Sequence, residues 1–329
     1  MPARNGSERP RRSRLSKPLV AVSRRILRKF AHSLRLTRPV FILAPPRSGS
    51  TLLFDALSRT GQFHYYPVEN DWVWWRLFPP DRLAEPSDMV GAEEAAANAQ
   101  RLRTALRNQI LGGYLNRMEG LERLARVASL LVHPSRPLLD KTIANCFHLD
   151  ALRRVFPHAR YVLLVRDPRA NISSMIEGWS QLGRFGKPLV KPWLERVSQR
   201  TVDHWCYPVP PGWRRVVTRP LAEICAWSWK QHVQKTLEFF GKTGIEPIFI
   251  RYEELTTEPA KVLRGVARRL DTNISEAVLS HWRGMPLSRT TVSRPGSDKW
   301  RRLHGPEIRA VLPSVMDTAR HIGYDLSDS

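Results

Sequence analysis

Val40-Phe41-Ile42-Leu43-Ala44-Pro45-Pro46-Arg47-Ser48-Gly49-Ser50-Thr51 compresses a strand, a turn and the start of a helix into twelve residues. The apolar, β-forming run from Val40 to Ala44 predicts a buried strand, and Pro45-Pro46 with Gly49 ends it in a tight turn. A helical segment follows from Ser50 to about Thr60. At such a junction backbone N–H groups and the helix N-terminus converge on an anion, so the stretch reads as a phosphate cradle. Set against the pattern G-x-x-x-x-G-K-[ST], Ala44 replaces the first Gly, Gly49 and Thr51 fit, and Ser50 stands where the triphosphate-binding Lys belongs. The positive charge sits at Arg47 instead, which favours a phosphate ester over a Mg·ATP complex. A plain Pro-Gly turn between strand and helix is the alternative.

Outward from this loop, strands and helices alternate. Phe63 to Val68 reads as a second extended stretch, leading into Glu69 and the aromatic cluster Trp72, Trp74 and Trp75. Ala92 to Val132 carries the period of two or three helices. Leu138 and Leu139 form a brief strand ending at Asp140-Lys141, and Leu149 to Phe156 is the crossover helix to Tyr161-Val162-Leu163-Leu164-Val165. That last run is apolar throughout, as a strand covered on both faces requires. Ala222 to Phe240 and Glu258 to Leu270 read as helices, with a strand from Ile245 to Ile250 between them; residues 180 to 220 are irregular. The expected fold class is α/β, a single doubly wound, mostly parallel sheet flanked by helices, P-loop NTPase-like with helical insertions. A basic arm, residues 1–37, precedes one domain, residues 38–329.

Pro46-Arg47-Ser48-Gly49-Ser50-Thr51 resembles the P-[KR]-S-G-[ST]-[ST] loop of the sulfotransferases that use 3′-phosphoadenosine-5′-phosphosulfate (PAPS). Three further stretches match that family in order. Arg166 ends a strand and Ser174 follows eight residues later in Arg166-Asp167-Pro168-Arg169-Ala170-Asn171-Ile172-Ser173-Ser174. Arg251-Tyr252-Glu253-Glu254-Leu255 resembles a strand-end R-Y-E-[DE]-L, and Ser293-Arg294-Pro295-Gly296-Ser297-Asp298-Lys299-Trp300 resembles a C-terminal basic loop, with Pro295 in the place of the Lys of the cytosolic members' R-K-G. The resemblance covers about Val40 to Leu303. It implies that Arg47, Ser48, Gly49, Ser50 and Thr51 bind the 5′-phosphosulfate without a metal. It also implies that Arg166 and Ser174 grip the 3′-phosphate, that Tyr252 lies near the adenine, and that Arg294 and Lys299 close over the 3′-phosphate. The product nucleotide would be 3′,5′-bisphosphate adenosine (PAP).

Sulfuryl transfer is an in-line displacement at sulfur. It requires a base for the acceptor hydroxyl and positive charge where the leaving phosphate oxygen develops negative charge. Lys141, after the Leu138-Leu139 strand, matches the family's lysine at the transferring group, and Arg47 of the loop is counted with it among the catalytic residues; a solvated surface lysine is the alternative. Cytosolic small-molecule members place a His two residues after that lysine, but Ile143 stands there. The tyrosylprotein branch and several bacterial and Golgi branches use a Glu at the end of the second strand, where Glu69 lies. Glu69 is therefore the expected base, with His64 and His148 as the other candidates, and it needs burial or a neighbouring acid to raise its pKa. Pro80 to Pro134 and Ser180 to Pro220 are expected to build the acceptor pocket. Trp179, Trp193, Trp205 and Trp213 stack on an acceptor or, for most of them, fill a core. The acceptor is a hydroxyl of a carbohydrate, lipid or other small molecule. The competing readings are a P-loop kinase and a non-enzymatic nucleotide- or polyanion-binding protein.

Of 329 residues, 53 are Lys or Arg and 30 are Asp or Glu, a net charge of +23. Twelve of those cations, against the single acid Glu8, fall within residues 1–38. Half of the excess thus belongs to the arm, and no nucleic-acid-binding signature accompanies it, so no nucleic acid partner is expected. Residues 1–17 read as a disordered tail. From Leu19 to Leu36, Val22, Ile26, Phe30 and Leu34 recur at helical spacing among Arg and Lys. This is a basic amphipathic helix that either lies on an anionic membrane or packs on the domain. The three cysteines have no metal or disulfide spacing, no apolar run reaches the roughly 20 residues of a membrane span, and no signal peptide is evident. A cytoplasmic protein, with or without contact at the inner face of a membrane, is expected. The sequons at Asn171 and Asn273 look accidental.

Overall fold

Val40, Phe41, Ile42 and Leu43 are each at most 2% exposed, and their strand β1 (Val40–Leu43) lies at the centre of the sheet. The computed structural model describes residues 34, 36–78, 90–116, 120–188, 204–296 and 298–327. After β1 come α1 (Ser50–Ser58), β2 (His64–Tyr65), α2 (Asp71–Leu77), α3 (Ala92–Ala97), α4 (Ala99–Asn116), α5 (Gly120–Val132) and β3 (Leu138–Asp140). A 3₁₀ turn at Ile143–Phe147 leads to α6 (Leu149–Val155), β4 (Arg160–Val165), α7 (Pro168–Trp179), α8 (Leu182–Phe185), β5 (Gly186–Pro188) and β6 (His204–Cys206). The chain closes with α9 (Leu221–Thr243), β7 (Ile248–Arg251), α10 (Tyr252–Thr257), α11 (Pro259–Arg269), α12 (Glu276–Arg283) and α13 (Lys299–His321).

Five strands form one sheet in the order β2-β3-β1-β4-β7, with every pairing parallel. Connections run to one side of β1 through β2 and β3, then reverse to β4 and β7, so the order switches at β1. In an open α/β sheet the crevice at such a switch, beyond the carboxyl ends of the strands, is the usual ligand site. Val162 to Val165 of β4 are at most 1% exposed, which accounts for their unbroken apolar run. The turn into α7 is specified locally: Pro168 opens the helix and the Asp167 carboxylate accepts from Arg169 N at 2.8 Å.

The structure departs from the sequence reading in three places. The second strand shrinks from Phe63–Val68 to His64–Tyr65, because only Leu138 and Leu139 of the three-residue β3 lie opposite it. Residues 180–220 contain more order than expected: α8, then an antiparallel hairpin pairing Gly186 with Cys206 and Lys187 with Trp205. Trp205 and Trp213, 1% and 0% exposed, form a small core of their own with Val209 and Ile224, and Trp179 packs against it. These tryptophans fill a core rather than line an acceptor pocket; Trp193 lies outside the described residues. Leu34 and Leu36, assigned to the arm, are 2% and 6% exposed in the main core, and the Leu34 carbonyl accepts from Arg107 Nε at 2.8 Å. The domain therefore reaches back at least to Leu34. The rest of the proposed basic helix lies outside the described residues. No described helix is long and apolar enough to cross a membrane.

Candidate active site

The loop from Ala44 to Gly49 turns through two left-handed residues, Arg47 (φ 68°) and Gly49 (φ 91°). Gly49 meets a second demand besides its dihedral, since a Cβ there would come within 2.5 Å of Tyr252 Cδ2. The turn between β1 and α1 is thus pressed against the first residue after β7. A non-glycine residue at φ 68° is strained, and Arg47 is held there by contacts on every side. Its carbonyl accepts from Arg166 Nη1 at 3.1 Å, and its own guanidinium donates through Nε to Ser174 Oγ at 3.3 Å and through Nη1 to the Thr290 carbonyl at 2.8 Å. The Phe185 ring lies 4.8 Å beneath that guanidinium.

Arg166, at the end of β4, stacks over the Tyr252 ring at 4.5 Å. Glu253 ties the same two strand tips, Oε1 accepting from Asp167 N at 3.0 Å and Oε2 from Tyr324 Oη at 2.6 Å. The three sequence stretches that end β1, β4 and β7 are thereby joined.

On the other side of β1, Lys141 Nζ meets Glu69 Oε1 at 2.8 Å, with the side chains 6% and 28% exposed. Both are positioned by their neighbours. Asp140, 2% exposed, accepts through Oδ1 from Thr142 N at 2.8 Å and from Asn145 Nδ2 at 2.9 Å, and through Oδ2 from Asn70 Nδ2. Asn70 N donates to Thr142 Oγ1 at 2.7 Å. One buried carboxyl, with its pKa pushed up by burial, therefore ties the residue after Glu69 to those around Lys141. The group that the structure sets against Glu69 is the Lys141 side chain.

Arg47, Glu69, Lys141 and Arg166 line one cavity of about 960 Å³, together with Gly49, Ser50, Thr51, Ser174, Tyr252 and Arg294. The surroundings of four sets of expected residues are as follows. Ser48 is 0% exposed and its hydroxyl accepts from Asn171 Nδ2 at 2.9 Å, so its side chain buttresses the loop from behind. The Arg47 guanidinium sits with Ser174, while Glu69 and Lys141 pair with each other. Lys299 lines the cavity, but its ammonium is engaged by Glu177. His64 and His148 lie in the core: His64 Nε2 pairs with the His133 carbonyl at 2.8 Å, and His148 stacks on Trp74 at 4.2 Å. Burial lowers their pKa values to about 4 and about 3. Ser173, Glu177 and Arg184 also line the cavity and were not read from the sequence. Ser173 lies within the stretch Arg166–Ser174, but Glu177 gains meaning only from partners beyond residue 290.

The cavity suits an anion. Arg166 Nε is buried without a hydrogen-bond partner among the described residues. Burial, reinforced by the neighbouring cations Arg166 and Arg184, lowers the pKa of Arg47 and is only partly opposed by Tyr207 and Glu177.

The sulfotransferase family model matches residues 39–213, more than half of the chain. The chain belongs to the sulfotransferase family. Protein-tyrosine sulfotransferase 1 of Danio rerio is 24% identical over 148 residues, 45% of this chain and 33% of that protein, so the match spans about a third of the relative's length. Among solved structures, the sulfotransferase domain from the curacin biosynthetic pathway is 19% identical, covering 89% of this chain and 99% of its own, with a TM-score of 0.48. Sulfotransferase STF9 from Mycobacterium avium is 16% identical over 93% of this chain and 83% of its own, with a TM-score of 0.48. Retinol dehydratase, solved in a complex with retinol and PAP, is 12% identical over 92% of this chain and 88% of its own, with a TM-score of 0.40. The family match takes in the anion loop, Glu69, Lys141, Arg166 and Ser174 of this sulfotransferase, and stops before Tyr252.

Proposed function

We propose that the protein transfers a sulfuryl group from PAPS to a hydroxyl of a carbohydrate, lipid or other small acceptor. The observation that carries this reading is the 3.1 Å bond from Arg166 Nη1 to the Arg47 carbonyl. It brings the second anion-binding stretch onto the turn of the first, while Glu69 and Lys141 meet at the neighbouring strand tips. PAPS supplies the activated sulfuryl group and needs no metal for it.

The chain's own residues then divide the work. Backbone N–H groups of Ser50 and Thr51 at the N-terminus of α1 receive the 5′ end. Arg166, whose Nε has no partner among the described residues, receives the 3′-phosphate with Ser174; Arg47, expected at the 5′-phosphosulfate, reaches Ser174 and joins them there. Tyr252, in contact with Gly49 and Arg166, lies near the adenine. Glu69 takes the proton of the acceptor hydroxyl at a carboxylate oxygen, in keeping with the Glu-base branch of the family. Lys141 Nζ has three protons, one of which holds Glu69 Oε1. The others are available to the oxygen that gains charge as the bond to sulfur breaks.

Thermal unfolding with ligands tests the reading: PAP raises the transition temperature and Mg·ATP does not. The reverse result would favour a kinase. Incubation with sulfur-labelled PAPS and pooled hydroxyl acceptors then identifies the acceptor.

A further inference from the structure

Lys299 Nζ donates to Glu177 Oε1 at 2.8 Å and to Oε2 at 2.6 Å. The Ser293 hydroxyl donates to the same Oε1 at 2.7 Å and also meets Lys299 Nζ. Lys299 and Glu177 are 18% and 16% exposed, so both charges are largely withdrawn from water. A pair in that condition leaves an uncompensated charge when either member is removed. Glu177 stands three residues after Ser174 on α7 and so shares its face, at the wall of the cavity.

The stretch between α12 and α13 lines the same cavity from Gly284 to Gly296. Its middle is gripped by main-chain contacts: Arg47 holds the Thr290 carbonyl, and Arg184 holds the carbonyls of Thr291 and Arg289. Its far end is gripped by side chains, through Glu177. Arg294 lies between the two residues that Glu177 holds, is exposed and lines the cavity.

We propose that Glu177 is a positioning residue for donor binding. Its carboxylate pins Ser293 and Lys299, holds residues 284–296 over the cavity, and so presents Arg294 to the 3′-phosphate. Lys299 is then an anchor rather than a ligand of the nucleotide. The ligand in this statement rests on the donor site proposed above; the clasp itself does not.

Exchanging the charges separates an anchor from a ligand. In the full-length protein, Glu177→Gln, Lys299→Ala and the double exchange Glu177→Lys with Lys299→Glu are compared by calorimetric titration with PAP and, without nucleotide, by the rate of tryptic cleavage after Arg289. The expected result is a PAP affinity about tenfold lower and faster cleavage in each single variant, with both restored towards wild type in the exchange. In steady state Glu177→Gln raises the KM for PAPS while kcat stays near wild type. If Glu177→Gln binds PAP as wild type does while Lys299→Ala and the exchange are equally weak, Lys299 is a ligand and the proposal is overturned. Unchanged cleavage in Glu177→Gln overturns it as well. Wild-type protein that does not bind PAP refutes the donor reading alone, and the cleavage rates then decide the clasp.

Discussion

Lys141 and Glu69 lie on different segments, 72 residues apart, and meet at 2.8 Å because Asp140 organises both. Removing either end of the pair should affect turnover more than donor binding. Glu69→Gln is expected to lower kcat by about 10²- to 10⁴-fold, the range for loss of a general base, with PAP affinity unchanged in titration. Lys141→Ala is expected to lower it by about 10²- to 10³-fold, as loss of a transition-state charge contact does. A wild-type rate in either variant would remove that residue from the mechanism. A third prediction concerns stability. His148 is buried, and burial depresses its pKa from 6.5 to about 3. The unfolded chain therefore binds a proton below pH 6.5 that the native chain refuses until about pH 3. Its contribution is present above pH 6.5 and is lost as pH falls towards 3. His148→Phe, which keeps a ring against Trp74, should flatten the slope of unfolding free energy between pH 5 and 6 by about 1.4 kcal/mol per pH unit, the value of one proton. An unchanged slope in denaturant titrations at the two pH values would contradict this. The positions of Arg166 and Tyr252 at the ends of β4 and β7 were legible in the sequence. Ser48 was not, because its motif does not reveal which way the side chain points, and Asn171 buries it.

Among the elements, β1 and β4 could be read directly since an uninterrupted apolar run between turn residues has one reading in a parallel sheet. The hairpin of β5 and β6 could not, for its strands are three residues each and Pro188 sits in one of them. The turn between β1 and α1 gives a sharper test of element packing. Gly49→Ala meets a left-handed φ of 91° and the Tyr252 ring together. The dihedral alone costs about 1–2 kcal/mol, and the ring contact adds to it. Gly49→Ala should therefore lower the melting temperature and weaken PAP binding. Gly49→Ala combined with Tyr252→Ala relieves the contact but not the dihedral, so the melting temperature recovers only in part. Complete recovery would show that φ at this position is not limiting.

At the scale of the whole molecule, the twelve cations within residues 1–38 outweigh their single acid, while Leu34 and Leu36 are anchored in the core. We propose that the charge ahead of Leu34 brings the enzyme to anionic lipid. Removing residues 1–33, and no more, should leave the melting temperature near wild type while abolishing salt-sensitive sedimentation with phosphatidylserine vesicles. Retained sedimentation would move the lipid contact to the folded body. Removal through residue 37 is expected to destabilise as well, since it strips two buried leucines from the core.

The pairing of β7 beside β4 has a practical outcome for anyone trimming the gene. A chain stopped at residue 213, where the family match ends, would retain Arg166 and Ser174 yet lose the strand that covers Val162 to Val165. Four consecutive apolar residues would then present unpaired amides at an open margin, a template for self-association. Such a fragment should collect in inclusion bodies, even though it carries most of the recognisable motifs.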